Sequence, residues 1–175
     1  MKIVWNIWKG ICNLLITLIL ILAVVLVGLR VMGLRAYTVL SGSMEPQIPT
    51  GAMIYVRSID PATLETGDVI TFLLDSDTAA THRILEIRQE NGQLWFHTKG
   101  DANPTPDGAP VHSKNVIGVP VLTIPGAGYA VRYLQSLPGA LAGISLGAVL
   151  MLVLLIPDLT ADISEVKKPG KFLKQ

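Results

Sequence analysis

From Gly10 to Leu29 the chain reads GICNLLITLILILAVVLVGL, without one charged side chain. Crossing ~30 Å of hydrocarbon takes about 20 helical apolar residues, so this stretch predicts a membrane span over 10–32. A cleavable secretory leader is the competing reading. Its apolar core is shorter, about 7–15 residues, and ends at a small-x-small site. Here the run continues into Arg30, Val31, Met32, Gly33 and Leu34 with no persuasive cleavage site. The expectation is therefore an uncleaved anchor. A second uncharged run, LPGALAGISLGAVLMLVLLI from Leu137 to Ile156, predicts another span over 137–157.

Two spans put both chain ends on one side of a membrane. Lys2 and Lys9 precede the first, while Lys167, Lys168, Lys171 and Lys174 follow the second. Residues 1–9 and a solvated tail over 158–175 are expected in the cytoplasm, with 36–136 as an extracytoplasmic domain. Arg30, Arg35 and Arg132 on the domain side oppose that bias without reversing it. No clear eukaryotic feature is present, so a bacterial plasma membrane is preferred to the endoplasmic reticulum. The net charge of +1 offers no basic surface for nucleic acid. Cys12 is the single cysteine, which excludes an intrachain disulfide and a cysteine-based metal cluster.

Between the spans the pattern changes. Tyr37–Leu40, Ala52–Val56 and Asp68–Leu74 are short runs rich in β-branched and aromatic residues, separated by Pro46, Pro49, Gly51, Pro61 and Gly67. Val116–Ile124 carries Gly118 and Pro120, which predicts an edge or bulged strand. No amphipathic helix of convincing length stands out. The fold class expected is mainly β: a small antiparallel barrel or sandwich flanked by two transmembrane helices.

Asn91-Gly92 is the strongest two-residue hairpin signal in the chain. With that pair at the tip, residue i faces residue 183 − i. Leu85 and Ile87 then oppose Thr98 and Phe96, Ile84 opposes Lys99, and His82 opposes Asp101. Directly opposed Cβ atoms lie about 4.5–5.5 Å apart, close enough for a His–Asp hydrogen bond. One bulge along the ladder would break that pairing.

Ser41-Gly42-Ser43-Met44-Glu45-Pro46 ends a strand and enters a proline-rich loop. By itself Ser-Gly-Ser is ordinary turn chemistry. A serine becomes a nucleophile only with a base in hydrogen-bond reach, itself oriented by a third group. His82 is the candidate base. His97 and His112 have no metal-ligand spacing, and Asp75 and Asp77 read as solvated loop residues. Neither metal nor cofactor is expected. A Ser–Lys dyad through Lys99 is disfavoured, because Lys99 should face Ile84.

In this order the segments resemble signal peptidase I of the endoplasmic-reticulum type, also found in archaea and some Gram-positive bacteria. SGSMEP at 41–46 resembles its nucleophile box, and TGAMIYV at 50–56 and TGDVITF at 66–72 its following strands. THRI at 81–84 resembles the box that carries histidine where the common bacterial type has lysine, and TKGDANPTPDG at 98–108 its acidic box. The resemblance implies a serine endopeptidase that removes signal peptides from preproteins at the outer face of the membrane. Ser43 would be the nucleophile and His82 the general base. The Ser43 backbone N–H and the Ser41 hydroxyl would form the oxyanion hole. Asp101 and Asp107 remain alternatives for the third member. Imidazole, with an ordinary pKa of about 6.5, suits proton exchange near neutrality.

The implied partners are preprotein signal peptides and the lipid bilayer, with secretion machinery as a further candidate. Met32, Leu34, Val39 and Met44 are expected to lie at the interface and line pockets for small substrate side chains. Two other readings stay open: a non-catalytic assembly or binding factor on the same fold, and a protease dedicated to few substrates.

Overall fold

Runs of β-branched and aromatic side chains broken by proline and glycine become the strands of one antiparallel sheet. The computed structural model describes residues 2–75 and 78–166. Among these, β1 is Leu34–Thr38, β2 Met53–Arg57, β3 Val69–Leu73, β4 Ala79–Glu90, β5 Gln93–Lys99, β6 Val111–His112 and β7 Val116–Ile124. Their spatial order is β1-β2-β7-β3-β4-β5-β6. The sheet stays open, a half-barrel with β1 and β6 as its edges, rather than a closed barrel or two packed sheets. The two-residue β6 is too short to leave a strand signature in the sequence.

The last strand returns to the centre of the sheet, between β2 and β3. β7 tolerates its proline and glycine there because the ladder slips against both neighbours, at Tyr55/Val56 and at Thr71/Phe72. Of the two alternatives, edge or bulged, the strand is bulged and not an edge. Gly118 adopts φ +154°, and a Cβ on it would sit 1.9 Å from the Arg57 carbonyl oxygen. Only glycine permits that approach.

Two apolar clusters fill the domain. Leu64, Ile70, Phe72, Ile84, Phe96 and Val111 pack between β3, β4, β5 and β6. Met44, Ile48, Ala52, Ile54 and Val56 form the second, beneath the loop that carries Ser43. Burying Met44 and Ile48, both nearly inaccessible, anchors that loop to the sheet by about 1.5–3 kcal/mol per side chain. Met44 is therefore a core residue and not a pocket lining, while Met32 is three-quarters exposed.

Three α-helices, α1 (Lys2–Val31), α2 (Ala127–Gln135) and α3 (Leu137–Val166), and two 3₁₀ turns, Pro61–Thr63 and Ser113–Asn115, complete the described chain. The sequence reading missed α2, whose nine residues fall short of the roughly 11–18 over which a helical pattern is read. Its Gly128 N–H donates to the Gly51 carbonyl at 3.0 Å. Two compact units divide the chain, one from its two ends and one from Ile21–Arg132. Within α1, the 19 residues Asn13–Val31 are long and apolar enough to cross a membrane, and none of that stretch is buried. Among the described residues it is the one helix that meets this measure; in α3 the apolar stretch among them is Leu137–Val149. Asp77 and the lysine-rich tail from Lys167 lie outside the described residues.

The close approach at the centre of the sheet is testable. Gly118→Ala should lower the unfolding free energy by about 2 kcal/mol or more, through overpacking against Arg57. Gly67→Ala, at φ +99° with nothing within 4 Å, should cost only backbone strain of about 1–2 kcal/mol. Denaturant unfolding in detergent compares the two, and equal losses would contradict the packing account.

Candidate active site

A single extra residue in β4 decides which groups meet. At the hairpin tip Asn91 and Gly92 take φ +51° and +75°, the left-handed pair that a type I′ turn needs. From there the expected register holds through Glu90↔Gln93, Ile87↔Phe96 and Glu86↔His97. Leu85 is then bulged out, and the pairing resumes one residue shifted, with Ile84↔Thr98 and Arg83↔Lys99. The bulge turns Ile84 into the core at 1% exposure and leaves Leu85 43% exposed. It also removes the expected facing of His82 and Asp101. Asp101 is instead held by Arg83, whose Nε and Nη2 donate to its two carboxylate oxygens at 2.9 and 2.7 Å.

His82 pairs across the sheet with Ile70, and the Phe72 ring meets its imidazole edge-on at 6.0 Å between centroids. Its Nδ1–H donates to Asp107 Oδ2 at 2.6 Å. Because a carboxylate only accepts, the ring proton belongs on Nδ1, and Nε2 is left as an acceptor. Ser43 Oγ lies 3.2 Å from that Nε2. The same Asp107 oxygen accepts a 2.6 Å bond from the hydroxyl of Thr98, a residue only 1% exposed. The Asp107 N–H donates to the Thr98 carbonyl at 2.9 Å, so backbone and side chain of Thr98 both fix the carboxylate. The structure thus brings Ser43, His82 and Asp107 together and keeps Asp101 apart.

The loop that carries Ser43 is braced from three sides. The Ala102 N–H donates to the Ser43 carbonyl at 2.8 Å, and a Cβ on Gly100 would come within 2.6 Å of that oxygen. The acidic loop therefore lies directly on Ser43, an approach that a side chain at Gly100 would block. Arg83 extends the brace by donating to the Gln47 side chain and, through Nη1, to the Gly67 carbonyl at 2.8 Å. Its hydrogen bonds to Asp101 raise its pKa further above the ordinary guanidinium value. Glu45 Oε1 accepts from both the N–H and the hydroxyl of Thr50, at 3.2 and 2.9 Å. Both bonds favour the carboxylate, so Glu45 titrates below its ordinary value. That stabilisation is present at neutral pH and is lost as pH falls through the lowered value.

Ser41 Oγ lies 3.4 Å from Ser43 Oγ. Among the described residues no acceptor engages the Ser43 backbone N–H. The other polar groups stay apart from this chain of bonds. His97 faces Glu86, and His112 bonds Gln93 at 3.0 Å with Trp95 against its ring. Lys99 faces Arg83 rather than the expected Ile84. Sequence reasoning missed Thr98 and the Arg83 brace. The Thr-Lys-Gly-Asp run did mark the segment, but only the register shows which groups each residue reaches.

A family model described as signal peptidase, peptidase S26, matches residues 12–124, a stretch holding all five site candidates. Signal peptidase I W of Bacillus subtilis (strain 168) is 44% identical over 124 residues, which cover 66% of this chain and 64% of that protein. The signal peptidase complex catalytic subunit SEC11C of Homo sapiens and that of Canis lupus familiaris are each 32% identical over 71 residues, 39% of this chain and 37% of theirs. The matches thus span less than two thirds of the length of these curated relatives.

The brace and the hydrogen-bond chain are separable by a double-mutant cycle. Arg83→Met and Asp101→Asn should couple by about 1 kcal/mol in unfolding free energy. Arg83→Met and Asp107→Asn should be additive within about 0.5 kcal/mol. Coupling of Arg83 to Asp107 instead would contradict the assignment of partners.

Proposed function

Because the chain belongs to the signal peptidase family, peptidase S26, we propose that it is a membrane-bound serine endopeptidase that cleaves signal peptides from secreted precursors after small residues. The observation that carries this reading is the unbroken line of bonds from Ser43 Oγ through His82 to Asp107. Ser43 attacks the scissile carbonyl carbon while its proton passes to His82 Nε2. The oxygen that gains charge is met by the Ser43 N–H and the Ser41 hydroxyl; one such donor is typically worth about 10²–10³ in rate. The imidazolium then returns the proton to the departing amine, leaving the signal peptide as an ester on Ser43. Water attacks the ester with His82 again as base, and the carboxylic acid and the free hydroxyl result. Asp107 holds the ring in the Nδ1–H tautomer and stabilises its cation, and Thr98 holds Asp107.

Residues 10–32 form the first span in this reading. α3 supplies the second over 137–157, since the helix is continuous from Leu137 and its sequence is uncharged to Ile156. The catalytic domain then lies outside the plasma membrane, with both ends in the cytoplasm. A signal peptide keeps its apolar core in the bilayer, so its cleavage site meets a tethered protease at high effective concentration.

The test is purified protein in detergent with a synthetic precursor. Ser43→Ala and His82→Ala should each lower kcat/KM by about 10³-fold or more, and Asp107→Asn by about 10²–10⁴. Asp101→Asn should stay within about tenfold of wild type on the same construction of the site. Full processing by Ser43→Ala would overturn Ser43 as the nucleophile, and no processing by wild type would leave a non-catalytic role.

A further inference from the structure

Next to the imidazole lies a cleft of about 330 Å³ that the catalytic step does not use. Its walls include Phe72, Leu74, Ala80, Ala109, Pro110 and Val111, together with His82 and Asp107. Neither Ser41 nor Ser43 borders it. Its two titratable wall groups are already bonded to each other. What remains facing the space is largely aliphatic, and Leu74 is 63% exposed at its rim. An apolar concavity with few fixed polar groups is suited to an uncharged side chain.

The chemistry assigns the direction. The departing amine must reach His82 Nε2 to collect its proton, and that nitrogen belongs to the first residue after the cut. The signal peptide stays on the Ser43 side as the ester, so the mature chain continues past His82. We infer that the cleft is the subsite for the first residues of the mature protein and prefers an apolar side chain at one of the first two. This rests on the catalytic reading above and extends it to the far side of the scissile bond. Asp107 on one wall disfavours an acidic residue there. The exposed Asn115 side chain, also a wall group, offers donors and an acceptor to the passing backbone.

The experiment uses the full-length enzyme in detergent with synthetic precursors identical up to the cut. The first and second positions after it carry leucine, phenylalanine, glutamine or aspartate. Leucine or phenylalanine at one position should give kcat/KM about tenfold above aspartate. Leu74→Glu and Ala109→Glu, each measured as a ratio within one preparation, should shrink that preference several-fold. Equal rates across the mature-side series would overturn the inference even with Ser43→Ala inactive. So would a preference that instead follows the residue two before the cut, or a ratio unmoved in both variants. Retained cleavage by Ser43→Ala would defeat the catalytic reading itself, a result distinct from any of these.

Discussion

Everything at the candidate site hangs on the one residue that β4 carries in excess. Opposite β5, Leu85 is squeezed out of the ladder, and the strand beyond it runs one step out of the register set at the Asn91-Gly92 turn. That step turns Ile84 inward to the core, pairs Arg83 with Lys99, and leaves His82 beside Phe72. Without the bulge His82 would stand opposite Asp101. With it, the imidazole reaches Asp107, which comes from the loop six residues further on. The bulge converts an incidental cross-strand pair into an assembly from three separate segments.

The two aspartates then divide the work by position. Asp107 is bonded to His82 and Thr98 at 2.6 Å each, while Asp101 is held in a fork by Arg83. Arg83 also reaches Gln47 and Gly67, tying the acidic loop, the Ser43 loop and the β3 entry into one unit. The Ser43 carbonyl is bonded by Ala102 from the same acidic loop. The Ser43 backbone is fixed by the Ala102 hydrogen bond and by buried Met44 beside it, which places its hydroxyl 3.2 Å from His82 Nε2.

Much of this was legible in the sequence, for definite reasons. The apolar run of α1, the β runs and the Asn91-Gly92 turn all follow from local periodicity and turn chemistry. Motif resemblance singles out Ser43 and His82, and the structure places their side chains 3.2 Å apart. The pairing of His82 with Asp101 failed because periodicity cannot locate a bulge: Ile84 and Leu85 are both apolar, and either one could face the core. α2 escaped for want of length, and the central place of β7 because long-range pairing is not a local property. Met44 reads as interfacial from its position in the chain, yet the loop folds it into the core at 2% exposure.

The central claim is that the imidazole proton sits between His82 Nδ1 and Asp107 while Nε2 faces Ser43. Proton NMR of the protein in detergent micelles reads this directly. A His82 Nδ1–H resonance well downfield of the amide region should be present in wild type and in Asp101→Asn, and absent in Asp107→Asn. Its loss in Asp101→Asn with retention in Asp107→Asn would contradict the account.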